Sequence, residues 1–403
     1  MIIRPSISVL SSDRVEIKLD LDLHLKVPGV GPELYVSEKT IAYSPMINSH
    51  DHLIGNWYPR AGDKRPYHNS HIWVEDMKES FSFHERNQFW MNDGRFRLVE
   101  PASLLLAQLG AYKNLFSGCM VVQDHAPVQE DLYYQSMPIQ VISAFRQCHS
   151  ITLENWWGGE SAEEEMRLTE NKIPYIIHLG EGTDAITKAE FSELVNRGLL
   201  RPNTLMIHGI AFTEKDLEQV AAAGASVCWC PTSNYYLIGE TLKVEKALEL
   251  GVNVCLGTDS TMSGGINMID EFITAHKHFP DIPLKTLFKM ATQNARRALM
   301  LPEHYGFLDP SQTRNLLLMD KLDSDPFENL LASDPANIGL LVLDGIPLYG
   351  DSSWLEFITL ETKGYSTFRT GNKEKFVIGD PQDLNDQIDG VLGYHKDFPY
   401  LPF

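Results

Sequence analysis

The sequence predicts an α/β protein: a (β/α)8 TIM-type barrel, distorted at its third and fourth strands, with a small β-sandwich domain formed from both chain ends. Three observations predict it. Short apolar runs alternate with helical stretches through the middle of the chain, as βα units do. Their spacing, roughly 20 to 30 residues, is what a parallel barrel requires. Alternation with a period of two, the mark of sheet with one wet face, is confined to the two ends. The chain has 403 residues, and one barrel takes about 250. The expected division is therefore residues 1–40 and 311–403 for the sandwich and C-terminal tail, and residues 41–310 for the barrel.

The elements follow in order. Val15-Glu16-Ile17-Lys18-Leu19 alternates as a strand, and Gly29, Gly31 and Pro32 punctuate turns beyond it. The apolar run from Ile41 leads through Ile47 to His50 and predicts the first barrel strand. Leu53 to Phe116 is long, aromatic and polar without a clear period, and reads as helices with a covering loop. Cys119 to Asp124 is a strand. Ala144 to Asn171 is short for what a full barrel places there; a helix is expected from Ser161, with Glu164 completing a capping box. Ile173 to His178 and Thr204 to His208 are strands. Thr213 can cap a helix that Gly224 ends. Ala225 to Cys230 is a strand, Thr241 to Leu250 a helix closed by Gly251, and Val252 to Gly257 a further strand. Ile338 to Leu343, Asp344-Gly345, then Ile346 to Tyr349 read as strand, turn, strand, expected to pack on the N-terminal flank.

Composition narrows the function classes. Hydrophobic residues make up 43% of the chain, enough for a sizeable core. The formal net charge of −20 argues against nucleic acid or an anionic membrane as the main partner. Met1 to Asp13 holds no apolar run suited to a signal segment, and no stretch approaches the roughly 20 apolar residues of a membrane helix. Five cysteines, an odd and sparse set, read as a reduced cytoplasmic protein. The partner expected is a small-molecule substrate; homo-oligomerisation stays open.

The chemistry-bearing residues sit at strand ends. His50 and His52 flank Asp51 at the end of the first strand, where residues two apart point to one side. That suits two imidazoles on one cation, although most His-x-His triplets bind nothing. His178, His208 and Asp259 end three later strands, and active sites of these barrels lie at the C-terminal strand ends. A lone strand-end histidine is more often a core residue, and a lone aspartate more often a helix cap. Five such residues at successive expected places are hard to explain that way.

This pattern resembles the amidohydrolase superfamily, and within it the branch of cytosine, guanine and adenosine-type deaminases and triazine chlorohydrolases. The branch shows His-x-His on strand 1, His-x-x-Glu on strand 5, His on strand 6 and Asp on strand 8. The matching residues are His50-Asp51-His52, His178-Leu179-Gly180-Glu181, His208 and Asp259. Cys230-Pro231-Thr232-Ser233-Asn234 resembles the strand 7 element, and Met290 to Leu299 the helix after the barrel. The resemblance covers about Ile41 to Leu308. No lysine stands in a convincing fourth strand to bridge two metals, which favours one.

The resemblance implies one divalent metal, zinc preferred over iron, held by His50, His52, His178 and Asp259, with a position left for water whose pKa the metal lowers towards about 7. It implies Glu181 as general acid and base, His208 as a hydrogen-bonding or polarising group, and Asp259 as a further catalytic group that orients the water. Substrate contacts are expected from Trp57, Arg60, His125, Trp156 and Asn234, with Trp157 beside them; an indole can stack on a flat ring. The expected reaction is hydrolytic deamination of a nitrogen heterocycle by an activated water. Hydrolysis of a cyclic amide or a C–Cl bond at the same site is the alternative. A metal-holding, ligand-binding protein without turnover is the reading from another class, and Glu181 and His208 argue against it. Cys228-Trp229-Cys230-Pro231 lacks the His-x-Glu and Pro-Cys-x-x-Cys spacing of the other zinc deaminase type, so these cysteines are expected to be buried strand residues.

Overall fold

The computed structural model describes residues 1–26, 34–89, 96–357 and 364–403. The turn positions Gly29, Gly31 and Pro32 lie outside the described residues. The barrel strands are β1 (Met46–Asp51), β2 (Cys119–Asp124), β3 (Gln140–Val141), β4 (Arg146–Ser150), β5 (Tyr175–Leu179), β6 (Thr204–His208), β7 (Ser226–Trp229) and β8 (Asn253–Leu256). β1, β2 and β3 form one parallel sheet, and β4 to β8 a second. The two sheets meet at the β8–β1 seam, where the backbone N–H groups of Thr258 and Asp259 donate to the His50 carbonyl at 3.0 and 3.1 Å. Ile47, Met120, Ile176, Leu205, Ile207, Cys228 and Cys255 meet in one buried cluster. The barrel interior is thus packed with side chains up to the layer that carries the histidines.

The distortion falls where the sequence is compressed. β3 has only two residues, and the chain enters β4 without a crossover helix. Ile142 N–H donates to the Val122 carbonyl at 3.0 Å, and Arg146 N–H to the Pro174 carbonyl at 2.9 Å. The segment leaves one ladder and joins the next within a few residues, which leaves no length for a helix.

Among the described residues, both chain ends build one mixed sheet of nine strands. Leu34–Tyr43 pairs in parallel with Ile2–Ser11 and antiparallel with Leu316–Asp320, and so joins the two ends. Ile338–Leu343 turns through Asp344 (φ 48°) and Gly345 (φ 78°) into Ile346–Asp351. Positive φ at both central residues is the two-residue hairpin geometry that matches strand twist. The C-terminal tail departs from this sheet. It returns to the barrel, where Lys396 Nζ pairs with Glu85 Oε2 at 2.5 Å and the Tyr400 hydroxyl donates to the Asn56 carbonyl at 2.5 Å.

Capping signals are realised locally. Thr213 and Asp216 form a reciprocal capping box, and Gly224 ends that helix at φ 68°. Ser161 accepts from Glu164 N–H and starts Ala162–Leu168, but the Glu164 carboxylate pairs with Arg167 and does not complete the expected capping box. The helix expected from Thr241 begins only at Val244. The Thr241 hydroxyl is engaged elsewhere, accepting from Trp229 Nε1 at 2.7 Å and Asn234 Nδ2 at 3.0 Å. Among the described residues no helix is long and apolar enough to cross a membrane. All five cysteines are free and buried.

Gly257 lets the seam close. A Cβ there would lie 2.7 Å from Cys228 Sγ and 2.8 Å from His50 Cβ. Gly257→Ala is therefore expected to cost about 1–3 kcal/mol through overpacking, read as a lower denaturant midpoint. A parental midpoint would mean that β8 can move off β1 freely.

Candidate metal centre

The predicted donors converge at the C-terminal mouth of the barrel. Three overlapping groups each place their ligand atoms within 4.8 Å of one another: His50, His178 and His208; His50, His52 and Asp259; Glu181, His208 and Asp259. The groups share members and describe one centre. His50 Nε2 and His52 Nε2 each lie 3.8 Å from Asp259 Oδ1, and His52 Nε2 lies 3.3 Å from His178 Nε2.

Neighbours fix the orientation of the donors. His178 Nδ1 donates to the His149 carbonyl at 2.8 Å, which leaves Nε2 as the lone-pair nitrogen facing the centre. His208 Nδ1 pairs with Asn234 Oδ1 at 2.8 Å, and its Nε2 lies 3.4 Å from Glu181 Oε1. Asp259 Oδ2 accepts from Ser233 and Ser263 hydroxyls at 2.7 and 2.9 Å, while Oδ1 accepts from Ser260 N–H at 2.7 Å. His208 (φ 75°) and Asp259 (φ 53°) are both left-handed without being glycine, a conformation that costs roughly 1–3 kcal/mol and clusters at functional sites.

The donor set fits a divalent cation. His50 is fully buried, and its Nε2 has no hydrogen-bond partner. A buried polar nitrogen left this way is costly, and a metal bond would satisfy it. Burial, reinforced by mutual repulsion, holds His50 and His178 well below the ordinary imidazole range, the neutral form a metal ligand requires. Burial would push Asp259 up, but the facing His52 and His208 hold it below the usual carboxylate value. Glu181 shows the reverse. Burial pushes its carboxyl up to about 7, against the pull of His208.

Above the centre lies a cavity of about 430 Å³. Its floor includes His52, His125, His178, Glu181, His208 and Asp259; Trp73, Met77, Phe83, Phe96, Trp156, Trp157 and Met262 supply much of the wall. The indoles of Trp73 and Trp157 are satisfied by the Ala61 carbonyl and Gln147 Oε1, at 3.0 and 3.3 Å. His125 is fully buried, stacks on His178 with ring centroids 4.3 Å apart, and has both ring nitrogens without a partner.

The expected substrate contacts divide. His125 and Trp156 line the cavity, as does Trp157, all at the ends of β2 and β4. Trp57, Arg60 and Asn234 are not among the residues that line it. Trp57 is buried with its indole donating to Glu85 Oε2 at 2.5 Å. Arg60 donates to the Gly264 carbonyl at 3.0 Å, and Asn234 is held between His208 and Thr241. Sequence reasoning passed over Ser70, His149, Ser233 and the wall residues Trp73, Phe83 and Phe96. His149 is the penultimate residue of β4, the strand obscured by compression. Ser233 stands inside the recognised Cys230 to Asn234 element.

A model described as the amidohydrolase family matches residues 158–345. Over that span, a little under half of its length, the chain is similar to the amidohydrolase family. It is 31% identical over 193 residues to a 5-methylthioadenosine/S-adenosylhomocysteine deaminase of Thermococcus sibiricus, covering 44% of each chain. It is 33% identical over 140 residues to the enzyme of the same name from Pyrococcus abyssi, covering 31% of this chain and 33% of that one. The chain thus spans less than half the length of these curated relatives. In fold it is similar to an adenosine deaminase from Xanthomonas campestris with bound zinc, at TM-score 0.71 and 14% identity, covering 97% of both chains. It is also similar to an atrazine chlorohydrolase from Arthrobacter aurescens complexed with zinc, at TM-score 0.69 and 17% identity, covering 97% of this chain and 99% of that one.

Asp259→Asn removes the carboxylate of the candidate donor set while keeping its shape. The variant is expected to lose its metal on dialysis where the parent keeps about one equivalent, by elemental analysis. Full retention in the variant would contradict Asp259 as a ligand.

Proposed function

We propose that the chain is a metal-dependent hydrolase that deaminates a nitrogen heterocycle. The observation that carries this reading is the buried Glu181 carboxyl, 3.4 Å from His208 at the cavity floor and grouped with Asp259. A protein that only held a metal through His50, His52, His178 and Asp259 would need neither Glu181 nor His208 there. The metal, zinc by preference and with iron admitted by the same donors, is assigned to His50, His52, His178 and Asp259; when bound it supplies hydroxide near neutral pH.

The remaining work falls to the chain's own side chains. Glu181 takes a proton from the attacking water and passes it to the leaving nitrogen. Its raised pKa suits both directions of that transfer. Asp259 orients the water through the oxygen turned to the histidines. His208, fixed at Nδ1 by Asn234, directs Nε2 at the attacking oxygen. Attack at a ring carbon gives a tetrahedral centre, and loss of ammonia completes the exchange of an amino group for a carbonyl. His125 and Trp156 are the proposed ring contacts, with His125 offering an unpaired nitrogen to a heteroatom and Trp156 an aromatic face. Trp57, Arg60 and Asn234 support the site from outside the cavity.

The similar deaminases, named for adenosine compounds, support a purine-like ring, and the similar atrazine chlorohydrolase supports the C–Cl alternative. The free cysteines support a reducing, cytoplasmic setting, and the charge of −20 supports a small molecule over nucleic acid as partner.

The test is a panel of purines, pyrimidines, pterins, triazines and cyclic imides offered to zinc-loaded protein. Ammonia release and product mass are followed together, with Glu181→Gln as control. Ammonia from one ring, lost by about two to four orders of magnitude in the variant, is the expected result. Gain of water without ammonia would move the reaction to ring opening, chloride release would move it to dechlorination, and no product at all would favour binding without turnover.

The pH profile supplies a second test. Glu181 must be ionised to accept a proton, so kcat/KM is expected to fall as pH drops through its titration. Burial places that near 7 in the metal-free chain, and a bound dication favours the carboxylate and moves it lower. A kcat/KM that does not fall towards low pH would contradict Glu181 as the base.

A further inference from the structure

Beneath the donors lies a buried cation that the proposed chemistry does not use. Lys113, on the Pro101–Leu115 helix, is fully buried. Its ammonium lies 3.1 Å from Asp51 Oδ2 and donates to Asn56 Oδ1 at 2.7 Å, Thr258 Oγ1 at 3.0 Å and the Asp259 carbonyl at 2.9 Å. Asp51 stands between His50 and His52, where strand alternation turns it away from them. It is held by Asn56 Nδ2 at 3.0 Å and Asn114 Nδ2 at 2.8 Å. Lys113 therefore touches the end of β1, the turn after it, and the residues after β8.

We infer that Lys113 is a positioning residue for the metal centre: it holds the left-handed Asp259 backbone against the end of β1, and so sets Asp259 against His50 and His52. This rests on the reading of those residues as ligands.

Three features carry it. The Asp259 carbonyl, turned by φ 53°, points at the ammonium. The same ammonium meets oxygens from two segments whose side chains supply three of the four assigned ligands. And a buried pair recovers its desolvation cost poorly in stability, so stability alone is a weak account of it. Thr258 reinforces the link, because its N–H donates to the His50 carbonyl at 3.0 Å and its hydroxyl accepts from Asn48 Nδ2 at 2.8 Å.

The test uses zinc itself as probe, in competition with a chromogenic chelator, on the full chain. Lys113→Met alone strands the Asp51 charge and can fail to fold. The deciding variant is therefore Lys113→Met with Asp51→Asn, which leaves no uncompensated buried charge. The expected result is a thermal midpoint near the parent's, with zinc affinity weakened about tenfold or more, the size typical of lost ligand support. The visible absorption of the cobalt-substituted protein should shift as the ligand geometry relaxes. Parental zinc affinity and a parental cobalt spectrum in the double variant would overturn the role of Lys113 and leave the metal centre standing. A parent that binds no zinc would instead remove the metal reading on which the role rests.

Discussion

The closure of β8 onto β1 is the constraint on which the site depends. His50 gives its side chain to the centre and its carbonyl to the N–H groups of Thr258 and Asp259. One residue thus joins the seam and supplies a donor. Asp259 follows at once in a left-handed turn that swings its carboxylate back towards the histidines. Its distance from His50 and His52 is set by backbone hydrogen bonds, not by the reach of a flexible side chain, and such preorganisation lets donors wait for a cation without reorganising.

Burial supplies the electrostatic half of the design. Imidazoles drawn out of water and set against one another lose their affinity for protons, which keeps their lone pairs for a cation. The same burial acts oppositely on the two carboxyls because their surroundings differ. Asp259 faces His52 and His208 and accepts hydrogen bonds from Ser233 and Ser260, so it stays ionised. Glu181 has His208 to draw it down, but desolvation prevails. Two carboxyls at one floor, one held ionised and one poised near neutrality, is the separation of environments that the proposed division between metal binding and proton transfer requires.

The ladder-borne half of this site was legible in the sequence, and the reason is geometric. A residue at the end of an apolar run has few directions in which to point, so strand position suggested His50, His178 and His208 at the barrel mouth, and the family resemblance added support for His52 and Asp259, which lie just beyond their strands. The hairpin at Asp344-Gly345 and the helix between Thr213 and Gly224 were legible because their turn residues demand particular backbone angles. The late start of the Val244 helix was not, because the Thr241 hydroxyl is claimed by Trp229 and Asn234, partners remote from any capping motif. Trp57 and Arg60 were assigned to the cavity by nearness to β1. The chain after Gly55 instead turns Trp57 into the core against Glu85. Lys113 could not be read at all, since only the folded helix brings it beneath Asp259.

Those differences divide the molecule by function. The groups proposed to carry out the reaction ride on the ends of β1, β5 and β6 and on the turn after β8, and their placement follows from the barrel. Much of the wall comes from Trp73, Met77 and Phe83, in the segment between β1 and β2 that has no periodic signal, and from the indoles after β4. That segment is fastened by contacts distant in sequence. Lys396 holds Glu85 from the C-terminal tail, its ammonium 5.0 Å from the Trp57 ring, and Tyr400 holds the carbonyl of Asn56, whose side chain reaches Asp51 and Lys113. The tail therefore braces the wall and the end of β1 together. Substitutions in the wall side chains reshape the cavity without touching the ladder that carries the histidines, whereas loss of the tail contacts reaches both the wall and the end of β1.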